Sequence, residues 1–159
     1  NDIVLIFKDN MKLLGNIDET ISINLRHNLD KIILNSDQEQ LSRVFFNLIK
    51  NSIESIQQKS EDNKDFKKKV SIQINKLDNQ INIVIIDNGI GFGIFADNIK
   101  DILNPYFTTK KNGTGLGLSI VSKIINDHNG KIEFIPIDDG AKVSINFKLD
   151  GIRNINSWW

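Results

Sequence analysis

A glycine-rich segment at residues 113–118 has the composition and position of a phosphate-binding loop. It reads Gly-Thr-Gly-Leu-Gly-Leu and runs directly into an apolar helical pattern over residues 116–126. Unpaired backbone N–H groups and the positive end of the helix dipole attract anions at a helix N-terminus, and glycine lets a phosphate approach the backbone closely. An ATP-binding domain is therefore the first hypothesis. A second glycine group, at residues 87–91, lies upstream of it.

A polar stripe is predicted on a long helix that Asp37 caps and that ends near Gln57. Asn47, Asn51 and Glu54 are spaced i, i+4 and i+7 and so share one side of this helix, opposite its apolar residues. Asparagine is a mediocre helix former, so two of them one turn apart need a reason. One interpretation is a solvated helix face in an asparagine-rich chain. The other is that the Asn51 amide oxygen binds Mg²⁺, which takes oxygen ligands, with Asn47 and Glu54 flanking it.

Alternating helices and strands are expected to position these residues. Apolar spacing predicts helices over residues 2–14, 37–57 and 116–126. Alternating apolar residues and turn signals predict strands over residues 21–25, 31–34, 70–77, 80–87, 131–135 and 141–149. The strands at 70–77 and 80–87 are predicted to form a hairpin around Asp78-Asn79. The charged, aperiodic run 59–69 is interpreted as a solvated loop without a function. The predicted fold is a two-layer α/β sandwich, with about three helices on one face of a mixed, mostly antiparallel sheet.

Composition excludes several classes of protein. The chain has 159 residues, enough for one domain with a real core, and no cysteine, which excludes disulfides and thiolate chemistry. Lys plus Arg and Asp plus Glu both number 20, so neither nucleic acid nor an acidic membrane surface is an expected partner. No apolar run approaches the roughly 18 residues that span a bilayer, which predicts a soluble chain. The first residue is Asn1, not methionine, so a piece of a longer protein is expected.

Four motifs in order now give a family resemblance. The motifs are Asp37-Gln38-Glu39-Gln40-Leu41 through Asn47-Leu48-Ile49-Lys50-Asn51, then Asp87-Asn88-Gly89-Ile90-Gly91-Phe92, Pro105-Tyr106-Phe107-Thr108-Thr109-Lys110 and Gly113-Thr114-Gly115-Leu116-Gly117-Leu118. Together they resemble the N, G1, F and G2 boxes of the catalytic, ATP-binding domain of bacterial sensor histidine kinases, in the GHKL superfamily. The third motif is most similar to the nitrogen-regulation branch. The resemblance covers residues 3–149.

The resemblance implies roles for individual residues. Asp87 would accept a hydrogen bond from the adenine amino group and so select adenine over guanine; a buried charge left unpaired would be costly, so the base is its expected partner. Gly89 and Gly91 would let the chain turn over the purine, and Asn51 would bind Mg²⁺. The implied phosphate-binding residues are Lys110, Gly113, Thr114, Gly115, Leu116, Gly117 and Leu118. The implied catalytic residues are Asn47, Asn51 and Glu54, of which Asn47 and Asn51 also contact the nucleotide. Residues 92–111 are expected to form a lid over it.

The resemblance also implies the reaction and its partners. A Bergerat-like ATP-binding domain would hold Mg-ATP for transfer of the γ-phosphoryl group to a histidine on a separate dimerisation domain, and onward to a response regulator. Neither His27 nor His128 has the surroundings of the family's acceptor histidine. The predicted division is a catalytic domain at residues 1–150 and a tail at 151–159. The isolated domain is expected to be a cytoplasmic monomer that binds ATP or ADP, and its parent a homodimer, with anchorage in the inner membrane left open.

Two other functions remain open from the sequence. An ATP hydrolase of the same superfamily would place a glutamate general base one helical turn before the Mg²⁺ asparagine. That position is Asn47 here, and an amide cannot take a proton from water. A non-catalytic interaction module of the same fold is the other alternative, and the presence of Asn51, Asp87 and the loop glycines argues against it.

Overall fold

The structure, a computed structural model, describes residues 1–91 and 116–149. Within these ranges the helices are α1 (Ile3–Leu14), α2 (Gln38–Asp62) and α3 (Leu116–Asp127). The strands are β1 (Ser22–His27), β2 (Lys69–Leu77), β3 (Gln80–Asp87), β4 (Gly130–Ile137) and β5 (Gly140–Lys148). None of the helices in the described ranges is both long and apolar enough to cross a membrane.

The five strands form one mixed sheet in the order β1-β2-β3-β5-β4. Only β1 and β2 run parallel; the other neighbouring pairs are antiparallel. The predicted hairpin is confirmed, because Leu77 pairs with Gln80 and Asp78 takes the left-handed conformation (φ 54°) that a tight turn needs. The predicted fold class, a two-layer α/β sandwich with a mostly antiparallel sheet, is therefore confirmed.

The core lies between the helices and one face of the sheet. Alternate residues of the central strands are buried, as the period of two in their sequences requires. Phe7 on α1 stacks on Phe45 of α2 with ring centroids 3.9 Å apart, which joins these two helices. The buried side chains that α2 contributes are Leu41, Val44, Phe45, Leu48, Ile49, Ser52, Ile53 and Ile56. Asp37 caps α2 as predicted, its carboxylate accepting a hydrogen bond from the Gln40 amide at 3.0 Å.

The strand predicted over residues 31–34 is wrong. Ile32 and Leu34 are buried and Ile33 is exposed, which is the alternation of a strand. The segment nevertheless makes only an isolated bridge, between Ile33 and Asp2. The N-terminal segment with which it pairs is too short for a strand, because α1 begins at Ile3, directly after Asp2.

The predicted end of α2 is also wrong. The helix continues to Asp62, so the first part of the charged run 59–69 is helical and its last residue begins β2. Only residues 63–68 connect the two elements. The Asn63 amide caps the helix end by donating to the Lys59 carbonyl at 3.0 Å. Tertiary contacts of Lys59, described below, favour this extra turn although the charged run shows no apolar periodicity.

Candidate functional site

Asp87, the last residue of β3, is a buried carboxylate. Its relative exposure is 6%. In the part of the chain that the structure describes, no other charged side chain is buried. Oδ1 accepts a hydrogen bond from the Gly89 amide at 2.9 Å. Burial raises the pKa of Asp87 to about 6, against the opposing effects of the Gly89 amide, the Ser52 hydroxyl and the charge of Lys59. The site therefore holds an acceptor group that is anionic at neutral pH and incompletely compensated by the protein.

The loop after Asp87 is packed backbone against backbone. A Cβ on Gly89 would lie 2.6 Å from the Ser55 carbonyl carbon and 2.8 Å from the Ile56 nitrogen, so any larger residue would push the loop off α2. Gly91 has φ 75°, and a Cβ there would lie 2.6 Å from the Gly140 carbonyl oxygen. These contacts give both glycines a packing role. Their predicted contact with a purine stays a prediction.

Gly140, the first residue of β5, is a site residue that the sequence analysis missed. A Cβ at this position would collide with the carbonyl oxygen of Asp87 and lie 3.1 Å from the Asn88 Cα. Gly140 thus fixes the distance between β5 and the start of the loop. The signal in the sequence was Asp138-Asp139 directly before Gly140. In the structure, Asp139 takes a left-handed turn conformation (φ 59°) before the last strand.

A second polar stripe on α2 holds the loop and was also missed. It consists of Ser52, Ser55 and Lys59, and we refer to it as the loop-facing stripe. The Ser52 hydroxyl lowers the pKa of the Asp87 carboxyl group, and the Ser55 hydroxyl accepts a hydrogen bond from the Ile90 amide at 3.0 Å. Lys59 Nζ donates to the Asn88 carbonyl at 3.0 Å. The i, i+3, i+7 spacing was visible in the sequence, but two serines and a lysine in a polar run did not indicate contacts with the loop.

The first stripe, Asn47, Asn51 and Glu54, is referred to as the asparagine stripe. All three residues are half-buried on α2. Glu54 Oε1 lies 3.9 Å from Lys50 Nζ, one turn earlier. Asn51 directly precedes Ser52, one of the residues that act on Asp87, on α2. The roles of these residues toward a ligand stay predictions.

Part of the predicted phosphate loop can be placed. α3 begins at Leu116, and Gly117 lies in its first turn, where no described atom comes within 4 Å of an added Cβ. Leu118 is half-buried and packs against the core. Four predicted phosphate-binding residues lie outside the described residues: Lys110, Gly113, Thr114 and Gly115. The predicted lid at residues 92–111 and the tail at 151–159 also lie outside them.

Comparison with known proteins gives matches over most of the chain. The family model for histidine kinase-, DNA gyrase B-, and HSP90-like ATPases matches residues 36–151. A putative NtrY-like sensor histidine kinase of Rickettsia bellii is 31% identical over 143 residues, which are 89% of this chain and 22% of that protein. The nitrogen regulation protein NtrY of Azorhizobium caulinodans is 35% identical over 117 residues, 72% of this chain and 15% of that protein. The chain thus spans about a fifth of the length of these relatives.

Solved structures share the fold at lower identity. The catalytic domain of histidine kinase ThkA in a nucleotide-free form matches with a TM-score of 0.75 and 23% identity, covering 91% of this chain and 90% of that one. A mycobacterial sensor histidine kinase, MprB, matches with a TM-score of 0.77 and 17% identity, covering 93% and 95%. ThkA in complex with the response regulator protein TrrA matches with a TM-score of 0.73 and 20% identity, covering 94% of this chain and 41% of that one.

Proposed function

The chain belongs to the family of histidine kinase-, DNA gyrase B- and HSP90-like ATPases, and on that premise we propose that it binds Mg-ATP for phosphoryl transfer to a histidine. The acceptor histidine would lie on a separate dimerisation domain. The family membership and the NtrY-like relatives confirm the resemblance drawn from the motifs, including its nitrogen-regulation branch.

The observation that carries the proposal is the buried Asp87 carboxylate at the end of β3. The Gly89 amide occupies Oδ1, and the remaining acceptor capacity of a carboxylate suits a ligand N–H group. The adenine amino group supplies such a donor, whereas guanine presents a carbonyl oxygen that would repel the carboxylate. Selectivity for adenine would then come from this repulsion as much as from the attraction.

The phosphates would lie toward the N-terminus of α3, where the helix dipole and free amides favour anions. The amide oxygen of Asn51, half-buried on α2, is a hard ligand that fits Mg²⁺ together with phosphate oxygens and water. When bound, the ion would neutralise phosphate charge. The protein's own contribution would be to hold the base and orient the triphosphate, which is most of what phosphoryl transfer requires.

The partners and location follow from the same proposal. A response regulator would receive the phosphoryl group, as suggested by the regulator bound to the related ThkA. Both histidines of this chain contact backbone atoms. His27 Nδ1 lies 2.9 Å from the Leu29 carbonyl oxygen, and His128 contacts the Ile124 carbonyl through Nδ1 and the Asp37 amide through Nε2.

We propose a cytoplasmic domain, monomeric alone and dimeric within its parent, with residues 1–150 catalytic and 151–159 a tail.

Incubation with γ-labelled Mg-ATP tests the division of labour. The chain alone should acquire no acid-labile label and release little phosphate, because Asn47 cannot act as a general base. Adding the parent protein's dimerisation domain should produce acid-labile phosphohistidine on that domain. Steady phosphate release by the chain alone would instead support the hydrolase alternative. ATP binding without transfer to the added domain would contradict the kinase proposal.

A further inference from the structure

Lys59 makes two tertiary contacts that its place in a charged run did not suggest. It is half-buried near the C-terminus of α2. Its ammonium group donates to the Asn88 carbonyl at 3.0 Å and lies 4.6 Å from the centre of the Phe66 ring, which is within cation–π range. The Asn88 side chain in turn accepts from the Lys69 amide at 3.0 Å and donates to the Lys67 carbonyl. The connection between α2 and β2 is thereby tied to the residue that follows Asp87.

Lys59 also lowers the pKa of Asp87 by its charge, by less than the Gly89 amide or the Ser52 hydroxyl does. Among the described residues, the other groups that lower the pKa of Asp87 are the neutral Gly89 amide and Ser52 hydroxyl. The residues paired with Asp87 on the neighbouring strands are Val70 on β2 and Ala141 on β5, and neither carries a charge. In the described part of the chain, Lys59 is therefore the single ionic compensation for a carboxylate that burial otherwise disfavours.

We propose that Lys59 is a positioning residue for base recognition, which fixes the Asn88 carbonyl and keeps Asp87 an anionic acceptor for the adenine amino group. The inference rests on the proposed function and adds a determinant of it outside the four sequence motifs. A protonated carboxyl group presents an O–H donor that can face the adenine amino donor, so loss of the Lys59 charge should weaken base binding where Asp87 becomes protonated.

Four variants separate the contributions of Lys59. Lys59→Met removes the charge and the donor but keeps a long apolar stem. Lys59→Gln removes the charge and keeps an N–H donor for Asn88. Lys59→Arg keeps both. Lys123→Met removes one positive charge from an exposed pair on α3, between Lys123 and Asp127, and serves as the matched control for net charge.

The probe is adenosine without Mg²⁺, which isolates the base from the phosphates, with affinity measured by calorimetry from pH 5 to pH 9. The pKa of about 6 places the wild-type midpoint near pH 6. If the charge loss raises that midpoint by about half a pH unit, Lys59→Met and Lys59→Gln should bind about twofold more weakly at pH 6, about 1.2-fold more weakly at pH 7 and equally at pH 9. Lys59→Arg and Lys123→Met should follow the wild type.

Carboxyl carbon NMR of the ligand-free protein measures the Asp87 titration directly and requires no ligand. The Asp87 midpoint should move upward in Lys59→Met and Lys59→Gln. An unchanged midpoint, or an affinity loss of the same size at every pH, would overturn the inference, since it would leave Lys59 a purely structural contact. A wild-type protein that binds adenosine at no pH would overturn the proposed function, while the NMR titration would still decide the effect of Lys59 on Asp87.

Discussion

The two polar stripes of α2 are proposed to serve different partners, a ligand for one and the loop after β3 for the other. The asparagine stripe, Asn47, Asn51 and Glu54, is half-buried along one side of the helix. In the loop-facing stripe, Ser55 and Lys59 form hydrogen bonds with Ile90 and Asn88, and Ser52 lowers the pKa of Asp87. Gly89 packs against the backbone of the same helix. One helix therefore carries residues proposed to hold a ligand next to residues that hold the protein's own loop.

This difference predicts different consequences of substitution. A change in the loop-facing stripe or in the loop alters the folded protein and every ligand contact that depends on Asp87. A change in the asparagine stripe should alter the phosphate end of the site and leave the base end in place.

Gly89→Ala should be the most damaging single change. The added methyl group would lie 2.6 Å and 2.8 Å from backbone atoms of Ser55 and Ile56, which cannot rotate away. We expect the free energy of unfolding to fall by about 3 kcal/mol, at the upper end of the usual cost of overpacking, with nucleotide binding lost. Urea denaturation and calorimetry measure the two effects. Wild-type stability in this variant would show that the loop does not depend on close packing against α2.

The charge on Asp87 should cost stability in the ligand-free protein at neutral pH. Its pKa is raised from 3.8 to about 6, so the folded state disfavours the ionised form, and the cost is fully present above pH 6. It is relieved as the pH falls from about 6 to about 4. The shift corresponds to about 3 kcal/mol. Asp87→Asn should therefore be more stable than the wild type at pH 8 by up to about 3 kcal/mol.

The same comparison has an internal check at low pH. Near pH 4 both side chains are neutral in the folded state, and most of the stability difference between wild type and Asp87→Asn should be gone. Urea denaturation at a series of pH values provides the measurement, and the difference between the two proteins removes the titration of every other group. A stability difference that does not change between pH 4 and pH 8 would contradict the raised pKa.

Asn51→Ala and Ser55→Ala should give different binding patterns. Asn51→Ala removes the proposed Mg²⁺ ligand, so the Mg²⁺ dependence of ATP affinity should fall about tenfold while adenosine affinity stays within about twofold. Ser55→Ala leaves the Ile90 amide without its acceptor, at a cost of about 1–3 kcal/mol, and should weaken adenosine and ATP together. Calorimetric titration of each variant with adenosine and with ATP, with and without Mg²⁺, measures the two patterns. Identical patterns would show that the two stripes are not functionally distinct.

Gly117→Ala should have the smallest effect on the fold. No described atom lies within 4 Å of the added Cβ, and alanine is favoured over glycine inside a helix by about 1 kcal/mol. The variant should be as stable as the wild type or slightly more so, which makes it the matched control for Gly89→Ala. If phosphates approach the start of α3, ATP affinity should fall more than adenosine affinity. Equal losses for both ligands would contradict a phosphate contact at Gly117.

Features set by neighbouring residues could be predicted from the sequence. The Asp37 cap, the turn at Asp78-Asn79 and the burial alternation of β2 and β3 all depend on residues close in the chain. Asp87 and Asn51 were predicted to be ligand-binding residues because their motifs lie in order along the chain. Features set by distant residues could not be predicted in this way. Lys59, near the end of α2, bonds to the distant Asn88, and an added Cβ at Gly140 would collide with the backbone of Asp87.

The short segment at residues 31–34 shows that an alternating pattern alone does not predict a strand. Its alternating pattern is real, since Ile32 and Leu34 are buried and Ile33 is exposed. Alternation reports which side chains face the core, but a strand also needs a partner of comparable length. That partner ends at Asp2 because α1 begins at Ile3, a fact that the pattern of residues 31–34 does not contain.

Selection of adenine by Asp87 is tested by a calorimetric titration of the wild-type chain with Mg-ATP and Mg-GTP at pH 7.5. At this pH Asp87 is ionised, because its pKa is about 6. ATP should bind at least about tenfold more tightly than GTP, since a hydrogen bond to a charged group contributes about 1.5–3 kcal/mol and guanine would oppose it with a carbonyl oxygen. Equal affinities for the two nucleotides would contradict the assignment of Asp87 as the base-recognising residue.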